Sequence, residues 1–158
     1  MKRNLHLSVM AFIATCTVIS ISCKKSSSDK SRSELLVGNW MLTSDVYSPS
    51  YDYDGDGTTE TEAISLYESC DKDDFITFNA NNTGSFDEGA TKCDINDDQA
   101  YPLGWQLSDN DSKITIVGTG VGSGVANILQ LDNSTFKISA TFEELGTTYT
   151  NTQTFKRK

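Results

Sequence analysis

The sequence predicts an all-β protein, a single antiparallel, up-and-down barrel of about eight strands. Three observations carry that expectation. Apolar residues recur with a period of two, most cleanly where Phe136, Ile138, Ala140 and Phe142 alternate with Lys137, Ser139, Thr141 and Glu143. About eight such runs are separated by turn-forming residues, and no long helical periodicity interrupts them. Closing the sheet on itself removes exposed strand edges, so a closed meander is the economical way to assemble these runs. The length of 158 residues suits one domain. A hydrophobic fraction of 37% excludes a disordered chain, and 22 acidic against 13 basic residues argue against a nucleic-acid partner.

Taken in chain order, the first element is a sorting signal. Lys2 and Arg3 precede a mostly apolar, acid-free stretch from Leu5 to Ser22, the order of a secretory signal peptide over residues 1–22. Polar interruptions at His6 and Ser8, and the lysines that follow at 24 and 25, make a lasting transmembrane helix the weaker reading. The stretch ends Ser20-Ile21-Ser22-Cys23, which resembles a bacterial lipobox, although Ser20 stands where the motif prefers Leu. Cys23 is therefore the expected lipidation site, the alternative being an unmodified cysteine at the end of an ordinary signal. Acyl chains such as palmitate, two or more on one cysteine, would hold the protein on an outer membrane. Residues 23–32 would be the lipidated cysteine and a polar tether, and residues 33–158 the barrel domain.

Removal of residues 1–22 leaves 136 residues with a net charge of −11 and no histidine. That excludes His-based acid–base chemistry, Ser-His-Asp and Cys-His nucleophiles and the usual zinc sites, so no enzymatic activity is expected. Cys70 and Cys93 are the two cysteines left to pair, and outside the cytoplasm an even pair reads as a disulfide, two free thiols being the alternative.

After the tether, Ser33-Glu34-Leu35-Leu36 suits a short helical turn capped by Ser33. Strands are then expected at 40–47, 75–78, 84–87, 104–107, 113–117, 125–131, 136–143 and 148–155. Asn81-Asn82 reads as the turn of a hairpin, because Asn tolerates the left-handed backbone. Cys70 and Cys93 are equidistant from that turn and so fall opposite each other beyond the ends of its strands. Gly118, Gly120, Gly122 and Gly124 resemble a phosphate loop only superficially, and a glycine-rich turn or kinked strand explains them better. Phe78, Phe86, Leu107, Ile114, Ile116, Phe136, Ile138 and Phe142 are the expected interior. Eight strands leave a space that side chains just fill or that holds one small ligand, and the pattern is the same in both cases.

Two stretches carry a family resemblance. Leu36-Val37-Gly38-Asn39-Trp40 resembles the L-x-G-x-W opening of lipocalin-like domains. Cys70-Asp71-Lys72-Asp73-Asp74-Phe75, Thr77-Phe78-Asn79, Gly84 and the run from Asp87 to Asp94 resemble lipocalin-like lipoproteins of Gram-negative bacteria. The resemblance extends over most of residues 35–156. It implies a lipocalin-like barrel begun by Gly38 and closed at one end by Trp40 as core, and it implies carriage of a small hydrophobic ligand. Two further signatures of secreted carriers, a Thr-Asp-Tyr loop and an arginine strand that closes over the tryptophan, are not evident.

The remaining candidate sites are acidic. Residues 45–111 hold 17 of the 22 acidic groups, with only Lys72 and Lys92 among them. Within this region Asp52-Tyr53-Asp54-Gly55-Asp56-Gly57 reproduces the first half of a calcium loop, with Glu60 or Glu62 in place of the usual closing glutamate. Asp52, Asp54, Asp56, Glu60 and Glu62 are the candidate Ca2+ ligands, and a solvated Asp-Gly turn is the competing reading. The pairs Asp73/Asp74, Asp87/Glu88 and Asp97/Asp98 read as a solvated acidic rim, since adjacent strand residues face opposite ways. Such a rim, with or without calcium, would equally suit a module that binds a protein partner.

Overall fold

The computed structural model describes residues 30–119 and 123–158. The proposed signal peptide, Cys23 and most of the tether lie outside these residues, as do Gly120 and Gly122 of the glycine-rich run. A helical turn, α1 (Arg32–Leu36), leads into nine strands. These are β1 (Gly38–Tyr51), β2 (Glu60–Glu62), β3 (Phe75–Phe78), β4 (Thr83–Asp87), β5 (Ala100–Ser108), β6 (Lys113–Gly118), β7 (Ser123–Leu131), β8 (Thr135–Glu144) and β9 (Thr147–Arg157).

All neighbouring strands are antiparallel, and β1 pairs with β9 as well as with β3, so β1 and β3 to β9 form a closed eight-stranded barrel. The long β1 makes closure possible. Its first residues, Gly38 to Met41, pair with β3, and its far half pairs with the short β2, which the sequence pattern did not announce. The α1 cap is Ser31 and not Ser33: the Ser31 hydroxyl accepts from the Glu34 N–H while Glu34 accepts from the Ser31 N–H. At the β3–β4 turn Asn82 adopts a φ of 65°, the left-handed conformation expected of this hairpin. The two cysteines pair, with Cα atoms 5.2 Å apart, and lie beyond the ends of that hairpin.

Two bulges decide which residues face inward. In β1 the register against β9 slips between Leu42 and Ser44, leaving Thr43 unpaired. The side-chain parity reverses there: Trp40 is interior before the bulge, Asp45 and Tyr47 after it. In β7 a slip between Ile128 and Gln130 turns Leu129 outward and brings Leu131 in behind Ile128.

The core gathers at one end of the barrel. Trp40 is fully buried, its Nε1 donates to the Leu36 carbonyl at 2.7 Å, and its ring lies 5.7 Å from that of Phe136. Phe136 in turn stacks on Phe155 and meets Phe78 edge to face. An arginine does close over the tryptophan, contrary to the sequence reading: the Arg157 guanidinium sits 4.3 Å from the Trp40 ring centroid. Arg157 also donates to the carbonyls of Val37 and Leu35, which ties β9 to the end of α1. Gly38 makes room for it, since its φ is +133° and a Cβ there would collide with Arg157 Nη1. Gly84 is needed for a different reason: a Cβ would strike the Thr77 carbonyl oxygen across the hairpin and Leu103 Cδ1 beyond it.

Candidate functional site

The barrel interior is not filled. Of the expected interior residues, Phe78, Ile114, Phe136 and Ile138 are buried, whereas Phe86, Leu107, Ile116 and Phe142 are only partly so. The space left by incomplete packing forms two cavities of about 330 Å³ each. The first is apolar, walled by Ile114, Ile116, Ala126, Phe136 and Ile138. The second is mixed, walled by Tyr53, Tyr67, Asp71, Asp74, Phe75 and Phe86. Ile76, Gln153 and Phe155 line both, so the two are neighbouring chambers with a common wall.

Asp45 holds the mixed side in place. It is 1% exposed, and its carboxylate accepts hydrogen bonds from Asn151 Nδ2 at 2.6 Å, Tyr67 Oη at 2.9 Å and Tyr47 Oη at 3.3 Å. A buried carboxylate is tolerable only with such donors. Burial pushes both phenols above their ordinary range. For Tyr67 the hydrogen bond with Tyr53 and then the Asp45 charge add to that, and for Tyr47 the Asp45 charge adds most. Tyr67 also stacks on Tyr53 at 5.5 Å, which joins the segment before the disulfide to the acidic loop. No motif marked Asp45, because the bulge at Thr43 reverses the parity from which its side would be read.

The five candidate calcium ligands divide. Carboxylate oxygens of Asp52, Asp54 and Glu60 lie within 4.8 Å of one another. Asp52 Oδ2 accepts the Gly57 N–H at 3.0 Å, while its Oδ1 is buried without a hydrogen-bond partner. Asp56 is spent on the Thr58 N–H at 2.7 Å. Glu62 serves the barrel: it accepts from Ser44 Oγ, the Asp45 N–H and the Ile64 N–H. Burial pushes its carboxyl up, but those three donors outweigh burial and hold it below the usual range. Asp56 and Glu62 do not belong to the cluster, which gathers only Asp52, Asp54 and Glu60.

The acidic pairs are less uniform than a solvated rim. Asp87 caps the Gly89 N–H and accepts from Gln99 Nε2, and Asp97 and Asp98 are exposed. Asp73 and Asp74 differ, each having a buried Oδ1 with no hydrogen-bond partner. Asp73 uses its other oxygen to accept the Ala90 N–H, whereas Asp74 lines the mixed chamber. Burial, and then the charges of Glu88, Asp71, Asp73 and Asp87, push the Asp74 carboxyl up to about 7. The disulfide sets this up, since the single 3-10 turn Asp71–Asp73 and Asp74 follow directly from Cys70.

The crystal structure of a lipocalin-like protein from Bacteroides uniformis ATCC 8492 matches at 15% identity and a TM-score of 0.47, covering 78% of this chain and 99% of that one. No curated protein matches. The lipocalin-like domain family matches residues 36–138, from the end of α1 to the middle of β8 and more than half of the chain. The chain belongs to the lipocalin-like domain family.

Proposed function

We propose that the protein is a membrane-anchored, non-enzymatic carrier that holds one small hydrophobic molecule inside its barrel. The observation that carries this reading is the apolar chamber of about 330 Å³ inside the closed sheet. Ligand pockets run from roughly 300 to 1,000 Å³, so the volume suits a small guest. The anchor rests on Cys23 at the end of its apolar leader, with the outer membrane as the destination, and the lack of enzymatic activity rests on the absence of histidine beyond residue 22.

Mild extraction from native membranes, followed by denaturation and mass spectrometry, should release about one apolar molecule per protein. Ala126→Trp, which fills the wall of the apolar chamber, should lower that yield about tenfold with the far-UV spectrum unchanged. Repeated absence of any co-purifying hydrophobe overturns the carrier reading. In the same preparation Cys23→Ser should move the protein to the soluble fraction, and retention on the membrane would sink the anchor.

A second reading, a module that presents a calcium-bound acidic loop to a protein partner, is favoured by the convergence of Asp52, Asp54 and Glu60. Extracellular calcium sites bind with Kd of roughly 10⁻⁴ M or weaker. At that affinity 1 mM calcium stabilises the fold by about 1.4 kcal/mol, a Tm rise of about 4 °C over chelator. Asp52→Asn should abolish the rise, and an unchanged melt of the unsubstituted protein at millimolar calcium ends this reading.

A further inference from the structure

The mixed chamber is better suited to a charged group than to the apolar body of a ligand. Tyr53, Tyr67, Phe75 and Phe86 line it together with Asp71 and Asp74. Asp74 Oδ1 is buried with no donor, which leaves Oδ2 as its accessible oxygen, and the one ion pair among the described residues is Lys113 with Asp109. A buried carboxylate oxygen without a donor is costly, and such atoms ordinarily have a partner.

We propose that this chamber receives the protonated amine of an amphipathic ligand. The ammonium would donate to Asp74 among the aromatic rings, while the apolar part reaches past Ile76, Gln153 and Phe155 into the first chamber. This rests on the carrier reading and names the ligand class. Three ligand classes compete, and the wall chemistry separates them. A carboxylate or phosphate head would meet Asp71 and Asp74 in the chamber wall with Asp73 between them in sequence. A bare divalent cation needs six to eight oxygens, which aromatic rings do not supply. An organic ammonium satisfies the carboxylate and gains from the ring faces. Phe75 already meets one ammonium within the chain: Lys158 Nζ sits 3.7 Å from its ring centroid and donates to the Asp73 carbonyl.

Binding should then be linked to pH. The charges that act on Asp74 are the carboxylates of Glu88, Asp71, Asp73 and Asp87; the phenols of Tyr53 and Tyr67 line the same chamber, and Lys158 Nζ lies over the neighbouring Phe75 ring. With the Asp74 carboxyl pushed up to about 7, acidification discharges it while an alkylammonium stays charged. Affinity for the ammonium should fall as pH falls.

The test is calorimetric titration of the full chain at 0.15 M salt with decylammonium, decanol and decanoate. Decylammonium should bind tightest, and its affinity should drop about tenfold or more between pH 8 and pH 5.5, while decanol is unaffected. Asp74→Asn should cost decylammonium about tenfold and leave decanol unchanged. Asp98→Asn, in an exposed loop, should change neither, which separates local pairing from the attraction of the acidic surface as a whole. Equal binding of decylammonium and decanol, or a loss of affinity for all three in a folded Asp74→Asn protein, overturns the amine assignment and leaves the carrier reading standing. If none of the three binds, the carrier reading fails and the assignment with it.

Discussion

Trp40→Ala should lower the stability of the barrel by about 4 kcal/mol, read as a fall in the urea midpoint at unchanged m. The side chain is fully buried and touches Phe136, so its removal opens a cavity at the crowded end of the core. Two further losses add to the transfer cost. The Leu36 carbonyl loses the Nε1 donor at 2.7 Å, and Arg157 loses the ring on which its guanidinium rests. Trp40→Phe keeps an aromatic ring and gives up the N–H, so it should cost less than half as much. Trp40 lines neither cavity, which makes it a structural element of the closed end and not a ligand contact. Ligand titrations should accordingly leave its fluorescence unquenched when Trp105 is replaced by Phe. A loss of stability below about 1 kcal/mol in Trp40→Ala would contradict this account.

Replacing Cys70 and Cys93 together by Ser should cost about 3 kcal/mol, the loop-closure entropy returned to an unfolded chain that was bridged across 23 residues. Because the effect lies mainly in the unfolded ensemble, the m-value should rise as that ensemble expands, whereas Trp40→Ala leaves it fixed. The two variants thus act on different states of the same protein. The bridge also fixes the segment that carries Asp71 and Asp74, so its loss should weaken decylammonium binding more than decanol binding. An unchanged urea midpoint in the double variant, or on reduction of the native protein, would remove the bridge from the list of stabilising contacts.

The alternation in β8 predicted Phe136 and Ile138 as interior, and both are buried. The same reasoning fails in β1 and β7, where single bulges at Thr43 and Leu129 reverse the inward set. Period-two arguments assume an unbroken register, and one extra residue invalidates them for the rest of the strand. Asp45 is interior for this reason, although unbroken alternation from Trp40 would turn it outward. Arg157 carries no sequence signal for a different reason: it stands in a basic, polar run with no motif, and its place over Trp40 exists only once β9 has paired with β1. The disulfide and the Asn82 turn were legible because both depend on short separations and on side-chain chemistry that permits few alternatives.

By itself the sequence determined the eight strands of the barrel, the hairpin at Asn81-Asn82, the pairing of Cys70 with Cys93 and the location of the acid, since each follows from local pattern or residue type. Only the tertiary structure decided whether the barrel is filled or hollow. That depends on how far side chains from opposite walls reach toward one another, a distance set by strand tilt and register. The same packing separated the acidic residues into three fates. Glu62 is held by backbone donors, Asp52, Asp54 and Glu60 converge, and half-buried Asp74 lines an aromatic chamber with one buried oxygen left unpaired. Identical carboxylates acquired different chemistry because the fold supplies donors to some and withholds both donors and water from others.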